Sequence, residues 1–267
     1  MLPLIIAGSI LLASSIYGDN KAADILRQAK NEPAYHIEGQ ELVSVVIPTY
    51  YEGDYIEDAL ESIRHQIYTP IEIIVSDATQ EIEAIDETRQ FSDEVDAEII
   101  HTWVKNVAMG TNLGAEQATG DILMFLDADC IIPNDYVEKM VNALHREGIR
   151  LAHGLDVYTP DAPVTKQIGK TLWNVTGKPT AYTTGRGVAM YAQDFWLIGA
   201  YNENLDPMKP HQRHDLDLGA RVAKTWGIGS IYLDKSAFAA EAPRRPFSGP
   251  GAAAWGERAW RKGKVID

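Results

Sequence analysis

Residues 120–129 restrict the fold more than any other stretch of this chain. The apolar run Ile122–Leu126 ends in Asp127-Ala128-Asp129 and is preceded by Gly120-Asp121. A short apolar run bounded in this way reads as a buried strand. If the chain stays extended through the triplet, alternate side chains share a face. Asp127 and Asp129 then point into one cleft at the strand's carboxyl end, where open α/β sheets hold their ligands. Two carboxylates suit hard cations, and Mg2+ commonly sits between one or two carboxylates and substrate phosphates. The pattern predicts either a metal–diphosphate site or, more simply, a strand running into an Asp-rich turn.

Strands and helices alternate on both sides of this stretch. Residues 42–48 are a β-branched run stopped by Pro48, which predicts a buried strand. Over residues 55–66, Ile56, Ala59, Leu60 and Ile63 have helical spacing, with Asp54 as the cap. Residues 71–75 predict a second strand, ending at Ser76-Asp77. That order implies a right-handed parallel crossover. A helix over 82–91, a strand over 97–103 and a helix over 112–119 follow, the last closed by a left-handed cap at Gly120. Residues 134–147 place Tyr136, Val137, Met140, Val141 and Leu144 on one helical face. Further strands are expected over 151–157, 187–191 and 229–233, and helices over 193–198 and from His214 onward. Residues 161–179 are polar, with Ile168, Leu172 and Trp173 apolar enough for a helix over the site.

Composition narrows the function. The chain has 267 residues, a net charge of -14 and a pI near 4.9. Such acidity argues against a nucleic-acid partner, which calls for a basic surface. The one cysteine, Cys130, excludes an internal disulfide and a cysteine-cluster zinc site, and packing is its expected role. Residues 1–17 are almost wholly apolar, against the ~20 apolar residues a spanning helix needs. A short anchor, an interfacial segment and a helix buried against the domain all fit this length. Membrane association through this segment, with the rest of the chain in the cytoplasm, is the expectation. Residues 19–29 read as an amphipathic helix with Ala23, Leu26 and Ala29 weakly apolar, and residues 31–40 as a linker.

Other acids stand where chemistry is possible. Asp77 ends a strand, so it is placed either to accept from a nucleotide base or ribose or to form a turn. Asp215 and Asp217 open a helix, where acids serve as caps or favour the dipole. If Asp215 faces the cleft, it instead takes a proton from an attacking hydroxyl. His211, Arg213 and His214 are candidates for phosphate contact or for solvent. Trp255, Arg258, Trp260, Arg261 and Lys262 form a basic aromatic tail.

Read together and in order, these segments resemble the family 2 glycosyltransferases. The resemblance lies in residues 43–52 with Pro48-Thr49-Tyr50-Tyr51-Glu52, in residues 59–63, and in residues 71–77 ending at Asp77. It continues through residues 112–129 to the Asp127-Ala128-Asp129 triplet, and through Thr184-Gly185, residues 191–205 and His214-Asp215-Leu216-Asp217-Leu218-Gly219. The resemblance implies an α/β chain with the GT-A (Rossmann-like) fold, a mixed, mostly parallel sheet flanked by helices. It implies inverting transfer of a sugar from a nucleotide-sugar donor to the hydroxyl of a sugar, lipid-linked or glycan acceptor. By position, Thr49 and Asp77 would contact the nucleotide with Glu52 near it. Asp129 would hold a divalent Mg2+ or Mn2+ with Asp127 beside it, and Asp215 would be the general base. The GT-A domain would span 42–240, after a hydrophobic segment over 1–18 and a helix and linker over 19–41, and before a tail over 241–267. Three positions depart from the family pattern: Ser76 replaces an acid, Gly110-Thr111 stands where an arginine is common, and His214 replaces the glutamate before the base. Lys105 is the candidate to replace that arginine. A non-catalytic nucleotide-binding protein of the same fold and a metal-dependent nucleotidyltransferase are the alternatives.

Overall fold

The computed structural model describes the backbone of residues 2–53, 55–80, 82–102, 105–159, 186–205 and 213–242, with isolated residues between 168 and 183. Side chains of residues 1–12, 14–15, 82–84 and 87 lie outside the description. So do Asp54, His211 and the tail residues named above, most of the expected helix over 161–179, and the loop over 206–212.

The amino-terminal half alternates as expected. Strand β1 (Ile37–Thr49) leads through α2 (Ile56–Arg64) to β2 (Tyr68–Asp77), then through α3 (Ile82–Glu94) to β3 (Glu98–His101) and through α4 (Val107–Gln117) to β4 (Ile122–Leu126). β1 pairs in parallel with both β2 and β4, and β2 in parallel with β3. Residues 43–47 of β1 and all of β4 are buried, as central parallel strands covered on both faces must be. The second half adds β5 (Cys130–Ile131), α5 (Tyr136–Leu144), β6 (Leu151–Tyr158), β7 (Arg186–Tyr191), α6 (Ala192–Leu197), α7 (His214–Trp226) and β8 (Ile231–Glu241). β7 runs antiparallel to β4 and β6, β8 parallel to β6, and β5 antiparallel to β8. The sheet order is β3-β2-β1-β4-β7-β6-β8-β5. This is the mixed, mostly parallel sheet between helices that was expected.

Several details differ from the sequence reading. β1 begins inside the expected linker, pairing Ile37 with Tyr68 before a register shift ahead of Val43. α4 starts at Val107 because the Asn106 side chain caps it, accepting from the Met109 amide at 3.2 Å. Gly120 is no left-handed cap. The helix ends at Ala118 in an extended conformation. A Cβ on Gly120 would stand 2.4 Å from Ser44 Oγ and 2.6 Å from the Leu42 carbonyl. Its amide donates to Ser44 Oγ at 2.9 Å and to Glu72 Oε1 at 3.0 Å. The glycine is there so that β4 can begin against the β1 backbone. Gly120→Ala is accordingly expected to cost about 2–3 kcal/mol through overpacking against rigid main chain. A denaturation midpoint equal to wild type would refute this.

The two expected amino-terminal segments form one helix, α1 (Leu2–Ala29). It buries Ala22, Ile25 and Ala29 against Ile131, Leu155, Val157, Phe238 and Ala240. The 22/25/29 spacing is a helical face. It shares Ala29 with the expected face, whereas Ala23 is exposed and Leu26 half-buried. Among the described residues no helix is long and apolar enough to cross a membrane.

Candidate active site

The first wall is the end of β1 and β2, whose register sets Thr49 beside Asp77. Asp77 is fully buried. Its Oδ1 accepts from Thr49 Oγ1 at 2.8 Å and from the Thr79 amide at 3.0 Å. Its Oδ2 is buried and takes no hydrogen bond among the described residues. A buried carboxylate oxygen without a donor is costly, so its persistence marks a place where a ligand's N–H or O–H belongs. The Tyr51 amide donates to Thr79 Oγ1 at 3.0 Å, and Tyr51 itself adopts a φ of 56°, unusual for a side-chain-bearing residue. Glu52 is buried behind this loop, its carbonyl accepting from the amides of Tyr55 at 2.8 Å and Ile56 at 3.0 Å. Lys105 Nζ lies 5.0 Å from the centre of the Tyr50 ring, which brings a cation to this wall. Asn112 serves the scaffold instead. Its amide donates to the Tyr201 carbonyl at 2.9 Å and to Glu203 Oε1 at 2.8 Å, and accepts from the Tyr201 amide at 3.0 Å.

The second station follows β4. Continuing the β1–β4 register beyond Val46↔Phe125 brings Thr49 level with the acidic triplet. The triplet is not extended, as alternation had suggested, but turns back into β5, with the Cys130 amide donating to the Asp127 carbonyl at 3.0 Å. The turn still gathers the carboxylates. Ligand atoms of Asp127, Asp129 and Cys130 all lie within 4.8 Å of one another. Asp129 is buried and Asp127 half-buried. The Ala242 amide fixes the Asp129 carbonyl at 2.9 Å. Cys130 packs as expected but also donates from Sγ to Asp129 Oδ1 at 3.5 Å. Burial, then the charges of Asp129 and Asp127, push its thiol well up, so it stays protonated. The donors on offer are therefore two carboxylates, which suit Mg2+ or Mn2+ rather than a soft metal.

The third station is the start of α7. Asp215 is buried, with Arg213 Nε at 3.2 Å from Oδ1 and Nη2 at 2.6 Å from Oδ2. Its carbonyl accepts from Thr183 Oγ1. Asp217 turns away and pairs with Arg221 at 2.7 Å, which in turn donates to the carbonyls of Ile198 at 2.7 Å and Ala200 at 2.6 Å. Tyr201, which the sequence reading passed over, is buried and held through its main chain by Asn112. Its hydroxyl is pushed well up by burial and then by the charges of Asp215 and Asp127. His214 packs edge-on against the Tyr201 ring, with centroids 5.1 Å apart. Burial lowers its pKa, leaving a neutral imidazole at neutral pH. The charged cluster of Asp156, Lys170, Arg186 and Glu241 behind the Asp127 turn was also missed.

Comparison with known proteins gives three findings. The family described as Glycosyl transferase family 2 matches residues 44–201. Among curated relatives, Glycosyltransferase AglE of Haloferax volcanii is 33% identical over 118 residues, 42% of this chain and 38% of that protein. The Glucosyl-dolichyl phosphate glucuronosyltransferase of the same organism is 29% identical over 209 residues, 71% of this chain and 66% of that protein. The chain thus spans less than two thirds of either relative. Among solved structures, the mannosyltransferase PcManGT of Pyrobaculum calidifontis, in complex with GDP-Man and Mn2+, superposes with a TM-score of 0.59 at 18% identity, covering 92% of this chain and 70% of that one.

Proposed function

Since the chain belongs to glycosyl transferase family 2 and has the GT-A fold, we propose that it is a glycosyltransferase that moves a sugar from a nucleotide-sugar donor to an acceptor hydroxyl with inversion. The observation that carries this reading is a set of three acidic stations: Asp77 at the end of β2, the Asp127/Asp129 turn after β4, and the buried Asp215 at the start of α7. Thr49 and Asp77 receive the nucleoside, with Glu52 supporting their loop. Asp129, with Asp127 beside it, would hold Mg2+ or Mn2+. When bound, such an ion offsets charge on the leaving diphosphate. Lys105, carried on the Tyr50 ring, takes the place of the family's arginine near the phosphates. Asp215 accepts the acceptor's hydroxyl proton as that oxygen attacks the anomeric carbon on the face opposite the diphosphate, whose bond to the sugar breaks. For this, one arm of the Arg213 fork yields an Asp215 oxygen to the acceptor. The donor complex of the Pyrobaculum mannosyltransferase supports a nucleotide sugar and Mn2+. The name of the second Haloferax relative supports a lipid-linked acceptor and glycan assembly. A membrane-facing acceptor also agrees with the apolar run in residues 1–17, which we propose associates with the bilayer, leaving the catalytic domain in the cytoplasm. The family match favours glycosyl transfer over nucleotidyl transfer.

The test is release of nucleoside diphosphate from a panel of nucleotide sugars with Mn2+, offered lipid-linked and free-sugar acceptors. Acceptor-dependent release supports the reading, and its absence across the panel counts against it. Asp77→Asn isolates the donor step. Oδ1 would still accept from Thr49 and Thr79, but an amide NH2 would replace the one open acceptor. Donor affinity is expected to fall about 10- to 100-fold with an unchanged melting temperature, because two donors would face each other. Equal affinity, measured by calorimetry, would remove Asp77 from the nucleoside site.

A further inference from the structure

β7 carries a bulge beside the acidic turn. Phe125 of β4 faces Val188, yet the next residue, Leu126, faces Arg186, so Gly187 is extra. Gly187 has a φ of +82°, and a Cβ there would lie 2.5 Å from the Tyr136 ring. The Tyr136 hydroxyl lies 3.2 Å from the carbonyls of both Arg186 and Gly187 and holds the bulge from beneath. Bulges next to active sites commonly re-aim a side chain. Here the re-aimed side chain is Arg186, which enters a nearly closed space at the head of β6 and β8. Its Nη1 lies 3.0 Å from Asp156 Oδ2 and its Nη2 2.6 Å from Glu241 Oε1. Lys170 shares both acids, through Asp156 Oδ2 and, at 3.4 Å, Glu241 Oε2. The side chain of Arg186 is 13% exposed, Asp156 4% and Glu241 14%. Four charges this enclosed are costly to desolvate, and apolar residues would join the strands as well or better.

What the cluster adds is a path to the acidic turn. Glu241 pairs with Cys130 across β5–β8, and its carbonyl accepts from the Thr159 amide at 2.9 Å. The next amide, Ala242, holds the Asp129 carbonyl. The fork of Arg186 thus fixes Glu241, and Glu241–Ala242 fixes the main chain of Cys130 and Asp129. Asp127 also lies within the electrostatic reach of Arg186.

We propose that Arg186 is a positioning residue for the metal station, its two-armed grip on Asp156 and Glu241 setting the Asp127–Asp129 turn at the spacing a divalent cation requires. This rests on the metal reading of Asp129 above. A lysine at this position keeps the charge but has a single nitrogen in place of the planar fork that gives each acid its own donor. Arg186→Lys is therefore expected to weaken binding of Mn2+ alone about tenfold or more by calorimetry. It is also expected to lower kcat at saturating Mn2+, while donor KM and melting temperature stay near wild type. Lys170→Met, which removes a charge from the same cluster and leaves the fork intact, is expected to hold Mn2+ within about threefold of wild type. If Arg186→Lys melts early, Glu241→Gln loosens a single arm and carries the same expected loss. The proposal is overturned if Arg186→Lys, or Glu241→Gln in its place, binds Mn2+ within twofold of wild type. It is equally overturned if Lys170→Met loses as much affinity, since the cluster is then only a staple. A wild-type chain that binds no Mn2+ overturns the metal reading itself, and this inference with it.

Discussion

Asp129→Ala is expected to cut sugar transfer by about 10³-fold or more, because a cation's stabilisation of a leaving diphosphate is worth several kcal/mol and each 1.36 kcal/mol is tenfold. Asp129 is buried, and its carbonyl is tied to Ala242 through main chain that the substitution leaves in place. The fold should therefore survive, although the Cys130 thiol loses its Oδ1 acceptor. Three measurements separate the cases: Mn2+ affinity, transfer rate and melting temperature. Loss of the first two at a retained third supports the assignment. A variant that transfers sugar at more than a tenth of the wild-type rate would show that Asp127 alone suffices, or that no metal takes part. Removing metal from the wild-type chain with a chelator should reproduce the variant's rate, and added Mn2+ should restore only the wild type.

Asp215→Asn is expected to slow transfer by about 10³-fold, within the 10²–10⁴ range of general-base catalysis. The replacement is isosteric, and its Oδ1 can still accept from Arg213 Nε and from the Leu216 amide. Donor binding should be unchanged, because the nucleoside wall is formed by the ends of β1 and β2 and Asp215 by α7. The expected pattern is a fall in kcat with donor KM held. A variant that transfers as fast as wild type would take the base role from Asp215. Loss of donor binding along with turnover would give the Arg213–Asp215 pair a structural part.

Much of the fold was legible because β1, β2 and β4 contain buried runs rich in apolar residues, and α2 and α5 have a clear periodic face. Tyr136, Val137, Met140, Val141 and Leu144 were all found on one buried face. The misreadings came from contacts distant in sequence. Gly120 looked like a helix cap because nothing near it reveals Ser44, 76 residues earlier, against which it must fit. Asn106 was a readable cap signal that the apolar pattern from 112 onward obscured. The acids at the strand ends were legible as candidates because their positions follow from strand boundaries alone. Tyr201 and Arg186 were not. The first acquires its neighbours through the Asn112 clamp and the second through a bulge, and local propensity registers neither.

The continuity of α1 bears on how the enzyme would sit in the cell. At 1.5 Å per residue, its 28 residues form a rod about 42 Å long. Its far end is packed into the sheet through Ala22, Ile25 and Ala29, without an intervening hinge. A bilayer holding the first turns of such a rod would grip a strut rather than a tether. If residues 1–17 associate with the bilayer as proposed, the tilt of the domain above the lipid would then be dictated by helix geometry and not by a flexible linker.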